Sequence, residues 1–384
     1  MESLSLENFI SLIIVFVSWL LIAFLLTAKS KNKTSNAILI LFLLVNAQDS
    51  SGMFASYFIY PKFPGMGMII NSTVFFKMPL LFLYIQSVVY SDFKFKKIHL
   101  LHLIPWILNL IVLTPRYFVV DFDAKWAFLN STNYRELTEI RISYILVHVQ
   151  VMVYFIMSFI LIKKYKILLL ENYSNANLFN HKWLFQLVVL LAIEAFIATF
   201  KNIFLFLQLE TIYFYTQLTT SLSALVFMCW IVLRAMHSPE IFRGINSNLQ
   251  LVKSIVQEKQ RMREQDSIES QEIVALKKYM LEEKPYLNDS LTIHDLSKEI
   301  DLNVRELSLL INHDLNQHFF DFINGYRIRK AMEILKDPEK KELTVLEILY
   351  EVGFNSKSSF NTAFKKHANQ TPTEFRQKAL KSVA

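Results

Sequence analysis

"TVLEILYEVGFNSKSSFNTAFKKHANQTPTEFR", residues 344–376, spells two short helices and the turn between them. Thr344 is a hydroxyl cap, and Val345, Ile348, Leu349 and Val352 then share one face at helical spacing. Gly353 follows, where a left-handed turn residue costs least. Asn355 and Ser356 cap again, and a second helix turns Phe360 and Phe364 inward while its other face stays polar. This is the pattern by which helix-turn-helix units place a helix in the major groove of DNA.

The same pattern occurs upstream. Leu296, Ile300, Leu302 and Asn303 precede Ile348, Val352, Phe354 and Asn355 by 52 residues, and Leu307 and Ile311 precede Phe360 and Phe364 by 53. Two similar units, 292–313 and 344–366, are therefore expected in one domain, 286–384. The block resembles the DNA-binding domain of AraC-type transcription regulators. The resemblance is carried by "RIRKAMEIL" at 327–335, "EVGFNSKSSFNTAFKK" at 351–366 and "TPTEFR" at 371–376. Asp301 and Asn369 stand where this family has glycines, and both types tolerate the left-handed region.

The resemblance implies base-facing side chains at Arg305, Ser308 and Leu309 in the first recognition helix. In the second it implies Lys357, Ser358, Asn361 and Thr362. Their spacing agrees, because they lie opposite Leu307/Ile311 and Phe360/Phe364. Arg and Lys suit guanine edges and Asn suits adenine. Lys365 and Lys366 are expected on phosphates, Phe354, Phe360, Phe364 and Phe375 in the core, and Arg327 in packing or an internal salt bridge. Residues 286–384 hold 14 Lys+Arg and 14 Asp+Glu, but 356–384 hold six basic residues against Glu374 alone. Weak binding by one domain, and so a homodimer on double-stranded promoter DNA, is expected. RNA polymerase is a further expected partner. The helix joining the units, 319–335, spans roughly 25 Å, which fits successive major grooves.

Outside this block the chain is apolar. Of 384 residues, 53% are hydrophobic, 33 are Phe and only 6 are Gly, too apolar for an ordinary soluble domain. A single cysteine, Cys229, excludes an intramolecular disulfide framework. Seven stretches, near 7–28, 36–60, 66–90, 98–119, 140–162, 183–207 and 211–233, fit membrane spans. The first has Glu2 and Glu7 before it rather than basic residues, unlike a signal peptide. Lysines gather in alternate loops: Lys29, Lys31, Lys33; Lys94, Lys96, Lys97; and Lys163, Lys164, Lys166, Lys182. That bias sets these loops in the cytoplasm, the N-terminus outside and the C-terminal block inside, at a bacterial inner membrane.

The expected fold is all-α: a seven-helix transmembrane bundle (1–236), a helical linker (237–285) and a tandem helix-turn-helix. Leu249, Val252 and Val256 begin a heptad that Lys259 and Arg263 end, so the linker is either a short dimer contact or a solvated helix. Four ionisable residues fall within spans: Asp49, Lys77, Glu194 and Lys201. They are either a polar pocket for a small-molecule or envelope signal, or structural ion pairs, with Asp49 opposite Lys77. His102, His148 and His181 lack ligand spacing and are expected in packing. No cofactor motif is present. The expected function is membrane-bound, one-component transcription regulation rather than catalysis. The alternative is a membrane enzyme or transporter with a DNA-binding tail.

Overall fold

A computed structural model describes residues 6–27, 33–52, 54, 58–90, 92–131, 134–174, 181–237 and 269–381. The chain divides into two compact units, one of residues 1–162 and 181–247, the other of 163–180 and 248–384. Both are helical, and an isolated β-bridge joins Tyr173 to Thr292. The expected dimer segment around Leu249–Val256 lies outside the described residues.

The first unit contains α1 (Leu6–Thr27), α2 (Lys33–Ser50), α3 (Pro64–Val89), α4 (Lys97–Phe118) and the short α5 (Phe122–Leu129). It continues with α6 (Thr138–Asn172), α7 (His181–Phe206) and α8 (Glu210–His237). Six helices among the described residues are long and apolar enough to cross a membrane: α1, α3, α4, α6, α7 and α8. The expected second span appears as α2, which is not among the six. Its 18 residues include Asn36, Asn46, Gln48 and Asp49, which lower its hydropathy. They suit its position, because α2 packs against both α1 and α3 and buries Asn36 and Asn46.

This unit reverses the usual distribution of polarity. Ile145, Val149, Met152, Ile156 and Ile160 are exposed on α6, while Gln150 and Ser158 of the same helix are buried. Lys77 and Pro79 interrupt α3 without ending it. A 3₁₀ turn, Thr73–Phe76, precedes them. Pro79 has no N–H for the Phe75 carbonyl four residues back. That carbonyl accepts instead from Gln150 Nε2 at 2.9 Å.

The second unit is built on α9 (Glu269–Glu282), α10 (Ile293–Glu299), α11 (Val304–Leu309), α12 (Phe319–Lys336), α13 (Val345–Glu351), α14 (Lys357–Ala368) and α15 (Pro372–Lys381). Helix α12 serves two cores. Its Phe319, Phe322 and Ile323 pack with Leu296, Leu307 and Ile311, and its Ile328, Ala331 and Ile334 pack with Ile348, Val352 and Phe360. Helix α9, in sequence part of the linker, adds Leu276 and Met280 to the first core.

The turns form as their residue types dictate. Thr292 with Asp295, and Thr344 with Glu347, make reciprocal capping boxes that satisfy the first amides of α10 and α13. Asp301, Gly353 and Asn369 have φ of 54°, 88° and 54°. Phe354, Phe360, Phe364 and Phe375 form a chain of rings 5.2–5.6 Å apart in the second core.

Candidate nucleic-acid interface and polar cavity

Ser356 caps α14, the second helix of the second helix-turn-helix unit. Its Lys357, Ser358, Thr362, Lys365 and Lys366 are exposed, and Asn361 is partly so. Ser358, Asn361, Thr362 and Lys365 stand at i, i+3, i+4 and i+7 on a stripe turned away from Phe360 and Phe364, and Lys357 stands at the exposed first turn. Thr362 Oγ1 donates back to the Ser358 carbonyl at 2.8 Å, which fixes its rotamer. Lys366 Nζ lies 2.7 Å from Asp321 of α12, so this amine is engaged within the domain.

The second helix of the first unit, α11, is capped by Asn303, whose side chain accepts from Arg305 N at 2.9 Å. Arg305 is exposed, but Ser308 and Leu309 are buried. The helix continues in π geometry over Leu310–Asp314, and Asn312 Nδ2 donates to the Ser308 carbonyl at 2.9 Å. Of the nine residues expected at DNA, seven thus lie at the surface and two do not.

Arg327 is the residue whose importance the sequence understates. It is fully buried, and among the described residues no carboxylate stands within salt-bridge distance of it. Nε donates to the Tyr286 carbonyl at 2.6 Å and Nη2 to the Asn288 carbonyl at 2.7 Å. Nη1 reaches Asn324 Oδ1 at 3.1 Å, and the remaining donors go to Ser174. Burial pushes the guanidinium pKa down to about 10, so it stays charged at neutral pH. It also stands 5.5 Å from the Phe354 ring. The one sequence signal was a guanidinium placed between core positions of α12, at Ile323 and Ala331.

In the first unit, Asp49, Lys77, Glu194 and Lys201 line one cavity of about 470 Å³. They come from α2, α3 and α7. Lys77 Nζ is 3.6 Å from Asp49 Oδ2. His148 of α6 also lines the cavity, between Thr199 Oγ1 at 3.2 Å and Asn202 Nδ2 at 3.0 Å. Asn109 accepts from Ser143 at 2.6 Å. The cavity thus offers both signs of charge together with amides.

Residues 296–378 match the helix-turn-helix domain family. The chain is 31% identical over 133 residues to an uncharacterized HTH-type transcriptional regulator in the cgkA 5′ region of Pseudoalteromonas carrageenovora, across 31% of this chain and 74% of that protein. The chain belongs to the AraC-type helix-turn-helix transcriptional regulators. The regulator is also 32% identical over 89 residues to the uncharacterized HTH-type transcriptional regulator YdeC of Bacillus subtilis, across 23% of this chain and 30% of YdeC. To the HTH-type transcriptional regulator AlkR of Acinetobacter baylyi it is 25% identical over 97 residues, across 25% of this chain and 29% of AlkR. The regulator therefore covers less than a third of the length of these last two relatives.

Proposed function

We propose that the regulator is held in a bacterial inner membrane by seven helices of its first unit. It reads double-stranded promoter DNA with α11 and α14, and a polar ligand in the Asp49–Lys77–Glu194–Lys201 cavity controls it. The observation that carries this reading is the inverted polarity of the first unit. An exterior of exposed isoleucine, phenylalanine and leucine around buried amides and a cavity lined by charged side chains suits lipid and not water. Lysine bias sets the C-terminal unit on the cytoplasmic side, where promoters are. Lys357 and Asn361 read base edges, Lys365 takes a phosphate, and two chains act together because one unit carries little net positive charge.

Reporter fusions to the full chain test the arrangement. A fluorescent protein after residue 384 should be bright in membrane fractions and alkaline phosphatase there inactive. Phosphatase inserted in the 121–139 loop should be active. Opposite signs at the two positions, or recovery of the chain in the soluble fraction, would sink the reading.

A further inference from the structure

The first recognition helix is closed on the face that the second leaves open. At the offset of 53 that relates Leu307 to Phe360 and Ile311 to Phe364, Ser308 and Leu309 correspond to Asn361 and Thr362. All four point away from the apolar core. Yet Ser308 and Leu309 are 6% and 3% exposed, whereas Thr362 is exposed and Asn361 partly exposed. Leu309 is also absent from the core that holds Leu307, Leu310 and Ile311, so that core does not account for its burial.

Residues 163–174, the last turns of α6 and the two residues after it, pack in the same compact unit as this helix. Their Leu168 and Leu169 are buried. The Glu171 carbonyl accepts from Asn312 Nδ2 at 3.5 Å, on the same face as Ser308. Tyr173 pairs with Thr292, the cap of α10, and Ser174 N donates to the Leu291 carbonyl at 3.2 Å. The Ser174 carbonyl accepts from Arg327 Nη1 at 3.2 Å and from Asn324 Nδ2 at 3.3 Å. Its hydroxyl accepts from Arg327 Nη2 at 3.2 Å.

We propose that residues 163–174 are an intramolecular mask on the first recognition helix. DNA needs the Ser308–Leu309–Asn312 face in the major groove, so mask and DNA exclude one another there. The structure is the half-closed state, with the second reader open. Backbone carbonyls and Ser174 make polar contacts of the mask, beside the buried Leu168 and Leu169. A ligand releases it only by binding the open state more tightly than the closed one. The inference rests on the reading that both recognition helices bind DNA.

A disulfide lock tests it in the full chain in lipid nanodiscs. Because Ser174 N bonds to the Leu291 carbonyl, Tyr173 and Thr292 form a non-hydrogen-bonded antiparallel pair. Such pairs have Cα atoms about 4.5 Å apart, within disulfide range. Tyr173→Cys and Thr292→Cys are introduced with Cys229→Ser, which removes the one native cysteine. Hydroxyl-radical footprints are recorded on the strongest DNA site recovered from cells, oxidised and then reduced. The reduced protein is its own folding control. A third form, Ser174→Pro, removes the N–H given to Leu291.

The oxidised protein should protect only the contact of the second unit and bind at least tenfold more weakly than the Ser174→Pro form, with reduction restoring the lost contact. The same footprint in all three forms, whether of one contact or two, overturns the mask. No protection in any form overturns both the mask and the DNA reading beneath it. Survival of the second contact alone, in the oxidised form, separates the two.

Discussion

Gly353 shows how closely the second unit depends on single backbone positions. A Cβ there would stand 2.7 Å from the carbonyl oxygens of Tyr286 and Leu287, and its φ of 88° is strained for any L side chain. Gly353→Ala should cost at least about 2 kcal/mol, combining left-handed strain with a clash against backbone that cannot turn aside. Loss of hydrogen-exchange protection in Val345–Glu351 would measure it. Asp301→Gly, at the matching turn, should stay within about 1 kcal/mol of the parent, because glycine only relieves the same strain. Glu347 supplies a pH test. Its hydrogen bonds to Thr344 hold the carboxyl below its ordinary 4.5. The unfolded chain then binds the proton more readily, so this stabilisation is complete above 4.5 and is lost as pH falls through the lower folded value. Glu347→Gln should flatten that acid limb in thermal unfolding; an unchanged limb would place the pH dependence elsewhere. The left-handed turns at Asp301 and Asn369 were legible because few residue types tolerate that conformation. The burial of Ser308 and Leu309 was not, because the neighbouring segment lies more than 130 residues away in the chain.

At the scale of elements, α14 is divided, in the proposed function, between base reading and phosphate positioning. Lys357→Ala and Asn361→Ala should each relax base preference at one position and cost about 1–3 kcal/mol at the preferred site. Lys365→Ala should weaken all sequences alike and lower the salt slope of binding by about one unit. Binding titrations at several salt concentrations on preferred and scrambled DNA distinguish these outcomes; a sequence-selective loss at Lys365 would reverse the assignment. The periodicity of Leu296, Leu307, Ile348 and Phe360 made both helix-turn-helix units legible, since apolar spacing and caps agree at every turn. Helix α9 was harder to place. Its composition is that of a solvated linker, and only tertiary packing shows that Leu276 and Met280 join the first core. Helix α2 illustrates the converse limit. A helix packed among others need not be wholly apolar: α2 buries Asn36 and Asn46, and with Gln48 and Asp49 they lower its hydropathy, so it is not among the six apolar helices although 36–60 reads as a span in the sequence.

For the whole molecule, the four ionisable residues Asp49, Lys77, Glu194 and Lys201 line one cavity. Of the pairings, Asp49 with Lys77 was legible from their places in consecutive apolar stretches. That Glu194 and Lys201 join the same cavity depends on the helix arrangement, which spacing along one helix does not determine. Lys77→Met should lower the thermal midpoint of the nanodisc-held chain, and adding Asp49→Asn should recover much of the loss. A coupling on the order of 1 kcal/mol is expected for a pair this open to the cavity. Strict additivity would show that the ion pair contributes nothing.

The most direct measurement is genomic footprinting of the full chain in cells, beside a chain lacking residues 269–384. Discrete promoter sites carrying two contacts about one DNA turn, ~34 Å, apart, absent from the truncated chain, are the predicted result. No enrichment of the full chain over the truncated one, across several growth conditions, would contradict a membrane-held regulator that reads DNA with two helices.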